Sequence, residues 1–93
     1  MTKTALVPDR FTFIEDPGHG WLAVPRSLIN DLGIAEQITR YSYQQGSTVY
    51  LEEDLDAQIF LEAYAARFQK RPQFEECYVE SWIGRARYSP YRA

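Results

Sequence analysis

One histidine, one cysteine and several carboxylates are the residues of this 93-residue chain whose types suit catalysis or metal binding. His19 lies in Asp16-Pro17-Gly18-His19-Gly20, and Cys77 follows Glu75 and Glu76. Nucleophilic catalysis needs a nucleophile with a base beside it, and the acids around Cys77 make a poor setting for a thiolate. His19 reads as a turn residue whose ring caps or packs locally, and Cys77 as a small buried apolar side chain. One His and one Cys cannot close a zinc site. The run Glu52-Glu53-Asp54-Leu55-Asp56 has carboxylates enough for calcium but lacks the spaced ligand loop with its central glycine. It reads instead as a solvated helix N-terminus. Pro17-Gly18-His19-Gly20 lacks the lysine and the strand-to-helix setting of a phosphate loop. The expectation is a protein that is not an enzyme, with no catalytic residue, no cofactor and no metal site.

Binding chemistry is better represented. Tyr41, Tyr43 and Tyr50, with Thr39 and Thr48 between them, form a surface that is apolar in body and polar at its tips. Tyrosine suits interface cores because it buries much area at little side-chain entropy. The same three residues also fit the role of ordinary cross-strand partners. Charge is unevenly spread: the total is −3, residues 1–50 carry −1, residues 51–80 carry −5, and residues 81–93 carry +3. Glu52, Glu53, Asp54 and Asp56, with Glu75, Glu76 and Glu80, are therefore candidates for an acidic patch that meets a basic partner. At the other end, Arg85, Arg87, Tyr88, Tyr91 and Arg92 interleave arginine with aromatics, as single-stranded nucleic-acid surfaces do. The net acidity argues against nucleic acid as the partner, since phosphate affinity rests on Lys and Arg.

These residues need elements to position them. The apolar set is 45% of the chain and aromatics are 15%, which excludes intrinsic disorder, and the length suits one domain. There is no apolar run long enough for a membrane span and no secretory h-region. A lone cysteine then makes a reducing cytoplasm the expected compartment. Residues 1–9, with Pro8 and no periodicity, read as a flexible lead-in. Arg10 to Glu15 alternates as a strand, Asp16 to Gly20 is a turn, and Trp21 to Val24 returns. Pro25 closes that strand and suits the first turn of a short helix at about 26–32, with Gly33 placed as its left-handed stop.

A hairpin follows, with Gln45 and Gly46 as its loop residues. That register pairs Tyr43 with Thr48 and Tyr41 with Tyr50. It puts Ile38, Ser42, Val49 and Leu51 on one face and the tyrosines on the other. Asp54 or Asp56 is the expected N-cap of a long helix at about 55–69 with the stripe Leu55, Ile59, Phe60, Ala63, Tyr64 and Phe68. Residues 74–83 are β-rich. The fold class is α+β: an antiparallel sheet of four to six strands with both helices on one face, in one domain at 10–88 followed by a tail at 89–93. The other face of such a sheet is left in water.

The strings His19-Gly20-Trp21-Leu22-Ala23-Val24-Pro25, Leu32-Gly33-Ile34, Tyr41-Ser42-Tyr43-Gln44-Gln45-Gly46 and Val49-Tyr50-Leu51-Glu52-Glu53-Asp54-Leu55-Asp56-Ala57, with Phe60-Leu61, resemble a group of short acidic proteins of proteobacterial phages and plasmids. The likeness covers residues 10–65 and transfers no activity or site. What it implies is a genetic neighbourhood in which small acidic proteins act as anti-defence factors, anti-CRISPR proteins among them. The partner so implied is a host protein complex such as CRISPR effector subunits, met by an acidic patch and a tyrosine face that compete with nucleic-acid binding. Two alternatives stand beside it: a nucleic-acid-binding or regulatory module using the C-terminal Arg/Tyr segment, and an accessory domain that homodimerises through its sheet. The expected assembly is a monomer or a homodimer.

Overall fold

Alternation, turn chemistry and one helical stripe generate, among the described residues, β1 (Arg10–Glu15), β2 (Gly20–Pro25), α1 (Arg26–Asp31), β3 (Tyr43–Gln45), β4 (Thr48–Glu52), α2 (Asp56–Phe68), β5 (Gln73–Tyr78) and β6 (Ser89–Pro90). The computed structural model describes residues 8–80 and 88–93. Their strands form one six-stranded sheet in the order β5-β1-β2-β4-β3-β6. The class is α+β, with one longer and one short helix.

The sheet is mixed, which corrects the expectation of a wholly antiparallel one. β1–β2, β2–β4, β3–β4 and β3–β6 are antiparallel, but β5 pairs parallel to β1, with Phe11 opposite Phe74 and Phe13 opposite Glu76. Helix α2 is the reason. It carries the chain from β4 across the sheet, so β5 returns in the direction of β4 and β1, and parallel strands require such a crossover.

Leu22 and Val24 of β2 with Val49 and Leu51 of β4 point to the helix side, where Leu28 and Ile29 of α1 and Ala57, Phe60 and Tyr64 of α2 cover them. Phe11 meets Phe60 and Tyr64 edge-on, with centroids 5.3 and 5.9 Å apart. Such geometry adds about 0.5–1.5 kcal/mol per pair beyond burial. Leu55 is 50% exposed and is not part of this stripe. Gly33 takes the left-handed conformation expected of it, with φ 72°.

The central hairpin differs in register from its expected form. Tyr43 pairs with Tyr50 and Gln45 with Thr48, so Gly46 and Ser47 are the loop residues. Gly46, at φ 59°, sits at the first loop position, where a primed turn needs positive φ. Because each partner moves by two residues, the faces survive: Ser42, Val49 and Leu51 are buried and Tyr43 shares a side with Tyr50. Ile38 to Ser42 is turn rather than strand.

The end of the chain is a second correction. Residues 89–93 are not a tail: Ser89 and Pro90 pair with Gln44 and Tyr43, and Tyr91 is 2% exposed. The Tyr91 hydroxyl donates to the Ala35 carbonyl at 2.6 Å, and its N–H donates to the Ser42 carbonyl at 2.9 Å. Arg26 fastens the same segment by donating to the Arg92 carbonyl and to the Gln44 side chain, with its guanidinium 5.1 Å from the Tyr91 ring centroid. Of the expected lead-in, residues 1–7 lie outside the described residues. Pro8 and Asp9 are held, their carbonyls accepting from Tyr64 and Gln73.

Candidate functional site

The register of β2, β4 and β3 sets Trp21, Ala23, Tyr50 and Tyr43 on the sheet side away from the helices. That side is not simply in water, since Trp21 is only 2% exposed. Its indole has the His19 ring at 5.3 Å and the Tyr43 ring at 6.3 Å. His19 is held by its turn, its N–H donating to the Asp16 carboxylate at 2.8 Å, as a locally packed turn residue should be.

The neighbouring wall is built by Asp56. This carboxylate is fully buried, and its Oδ2 accepts from the Thr39 N–H at 3.0 Å, the Thr39 hydroxyl at 2.7 Å and the Ser42 hydroxyl at 2.5 Å. Ser42 Oγ accepts in turn from the Glu52 N–H at 2.9 Å, and Thr39 Oγ1 from the Tyr41 N–H at 3.2 Å. One carboxylate at the start of α2 thus fixes the 39–42 turn against the end of β4. The turn projects Tyr41 outward, at 78% exposure. The Glu52 carboxylate accepts from the N–H groups of Asp54 and Leu55 at 3.0 and 3.1 Å, closing the turn before α2. Neither Asp54 nor Asp56 caps the helix; Leu55 stands at that position.

The result is a cleft of about 500 Å³ lined by His19, Trp21, Tyr41, Tyr43, Glu52, Asp54 and Leu55. Aromatic faces attract cations. A carboxylate has about four acceptor sites, so Glu52 keeps capacity beyond its two backbone donors. The cleft therefore suits a cationic side chain with an apolar stem, and arginine above lysine, because its plane stacks and its fork pairs with carboxylates.

The candidate residues from the sequence divide. Tyr41, Tyr43, Glu52 and Asp54 come together in the cleft. Tyr50 does not line it; its ring stacks on Tyr88 at 4.8 Å and 19°. Glu53 lies on the helix side, in a groove with Glu76. Glu75 and Glu76 are exposed on β5, with side chains on opposite faces of the sheet. Asp56 is removed from the acidic patch altogether, because its charge is spent on Thr39 and Ser42. Cys77 is exposed rather than buried, since β5, the outermost strand among the described residues, is exposed along its whole length.

Burial raises the Tyr50 phenol to about 12, helped by the hydrogen bond and the charge of Tyr88. Because the folded value lies above the ordinary 10, this group leaves stability untouched below about pH 10 and lowers it between about 10 and 12. Tyr64 and Tyr91 are shifted in the same direction, chiefly by burial. In an alkaline titration followed by phenolate absorbance, Tyr50→Phe should remove a late-ionising component near pH 12. A missing component near pH 10 instead would contradict the Tyr50–Tyr88 stack.

Sequence reasoning missed Trp21, His19 and Leu55. Leu55 carried a readable signal, an apolar side chain where caps favour Asp, Asn or Ser. Trp21 and His19 carried none, because which strand lies beside β2 is not a local property. Among the described residues no helix is long and apolar enough to cross a membrane. No group of three or more His, Cys, Asp or Glu side chains among them is placed to hold a metal ion. Compared with protein-family models, curated proteins and solved structures, the chain matches none.

Proposed function

We propose that this protein is a non-catalytic interaction module that binds a basic protein surface through the aromatic and acidic cleft. The observation that carries the reading is the convergence of Trp21, Tyr41 and Tyr43 with Glu52 and Asp54 around one concavity, with Leu55 and Tyr41 exposed at its rim. Exposed apolar groups beside desolvated aromatics and charges are the make-up of interface anchors. A surface rich in arginine and lysine is also what proteins use to hold nucleic acid, so occupying it competes with nucleic-acid binding. The phage and plasmid resemblance directs this inhibition to a host defence complex, in the manner of an anti-CRISPR protein.

The acidic contact in this reading is narrower than the sequence suggests. Asp56 holds the turn and Glu52 closes the approach to α2, so reversing all of the acids would damage the fold and the surface together. Asp54→Lys with Tyr41→Ala changes the cleft alone. Anchor residues cost about 2 kcal/mol or more on truncation, so this double variant should weaken partner capture and inhibition of CRISPR effector complexes by at least about thirtyfold, at unchanged thermal stability. Undiminished inhibition by the double variant would overturn the cleft as the contact.

The nucleic-acid reading of the C-terminal segment has lost support. Tyr91 is in the core, and one face of the Tyr88 ring is taken by Tyr50. Arg85 and Arg87 lie outside the described residues.

A further inference from the structure

On the helix side, away from the cleft, β5 is the outermost strand of the sheet among the described residues, and all six of its residues are exposed. Its backbone direction follows from two hydrogen bonds to the β1 segment, Gln73 N–H to the Asp9 carbonyl at 2.7 Å and Val79 N–H to the Glu15 carbonyl at 2.8 Å. Alternation then turns the N–H and C=O groups of Gln73, Glu75, Cys77 and Val79 toward β1 and those of Phe74, Glu76 and Tyr78 outward. The register with β1 puts the Phe74 and Glu76 side chains on the same face as Phe11 and Phe13.

Beside this edge runs a groove of about 260 Å³ between α2 and the sheet. Phe13, Leu22, Ala57 and Leu61 supply its apolar lining, and Glu53 and Glu76 its charge. Phe74 and Tyr78 are 39% and 62% exposed next to it. A ladder edge joined to an apolar groove is the arrangement that accepts an added strand, main chain on the edge and alternate side chains in the groove.

We infer that the β5 edge and its groove are a second binding site, which takes an extended basic segment of a protein partner as an added strand. The charge selects the occupant. A lysine or arginine opposite Glu76 lays its aliphatic stem over the groove and its charge between Glu53 and Glu76. A second copy of the chain is disfavoured by the same acids. Antiparallel self-pairing centred on Glu76 sets Glu76 against Glu76, a shift by two residues sets Glu75 against Glu75, and like charges directly opposite destabilise a pair.

The test uses the whole protein and a short alternating lysine–valine peptide, with an alternating glutamate–valine peptide as control, at physiological salt. In the free protein the amides of Phe74, Glu76 and Tyr78 should exchange rapidly with deuterium and those of Gln73 and Val79 slowly. The basic peptide should slow exchange at Phe74, Glu76 and Tyr78 and leave the cleft resonances of Tyr41 and Asp54 unmoved. Glu76→Lys should weaken its binding by about tenfold or more, the effect of roughly 1.4 kcal/mol. Peptide binding without protection at those three amides, or no binding at millimolar peptide, overturns the inference. Protection already present without peptide also overturns it, because the edge would then be taken by a second copy. Since the cleft is read separately, each site stands or fails by its own resonances.

Discussion

Tyr91→Ala is expected to remove about 3–5 kcal/mol of folding stability, the usual cost of deleting a buried aromatic side chain. Single domains have only about 5–15 kcal/mol in total, so this one change near the end of the chain leaves the protein marginal or unfolded. Tyr91 is buried to 2% exposure, and its hydroxyl and N–H satisfy the carbonyls of Ala35 and Ser42. Its ring also lies beneath the Arg26 guanidinium. Arg92→Ala is the control. Arg92 contributes its main chain to the Arg26 and Gln44 bonds while its side chain is exposed, so that change should stay within about 0.5 kcal/mol. Urea unfolding of the two variants measures the difference. Equal stabilities would mean that residues 89–93 are the tail their composition suggests.

The second large effect is expected at Asp56. Asp56→Ala strands the Thr39 N–H and the hydroxyls of Thr39 and Ser42, all of which donate to one carboxylate oxygen. Leaving a buried donor unsatisfied costs about 1–3 kcal/mol, more where the lost partner was charged. Partial relaxation of the hydroxyls makes about 3–4 kcal/mol the reasonable total for the site. Asp56→Asn keeps the shape and an acceptor, and should cost roughly half as much. Asp54→Ala, only two residues away, should cost almost nothing, because that side chain is exposed. The Asp56 loss also has a functional consequence. The turn it holds carries Tyr41, so a folded Asp56→Asn protein should bind a cleft ligand more weakly than Asp54→Asn loss of charge alone explains. Indistinguishable stabilities of the Asp54 and Asp56 variants would contradict the network.

These two positions show where the sequence was readable. Local patterns were sufficient for the β1–β2 hairpin, for α1 ending at Gly33 and for α2, because turn chemistry and a helical stripe are written in neighbouring residues. The parallel pairing of β5 with β1 was hidden, since it joins Arg10 to Gln73 with no local mark at either. Tyr91 looked like any tyrosine in a Pro- and Arg-rich ending; only the tertiary position of Ala35 and Arg26 makes it core. Asp56 looked like the three other acids of its run, Glu52, Glu53 and Asp54. What separates it from Asp54 is its direction at the first turn of α2, toward Thr39 and Ser42, and direction depends on the turn that those residues themselves form. For the candidate site, the tyrosines and acids were legible as residue types. Their sorting into one cleft, one stacked pair and one exposed edge was not.

The most direct measurement of the central claim is a nitrogen–proton correlation titration of the labelled protein with acetyl-arginine amide, a ligand too small to add a strand. The account predicts saturating shifts confined to the Trp21 indole and the amides of Tyr41, Tyr43, Asp54 and Leu55, lost in the Tyr41→Ala, Asp54→Lys variant. Weak shifts spread in proportion over Glu62, Glu75, Glu76 and the other surface acids, with no saturation, would show that the cleft has no affinity of its own and contradict the account.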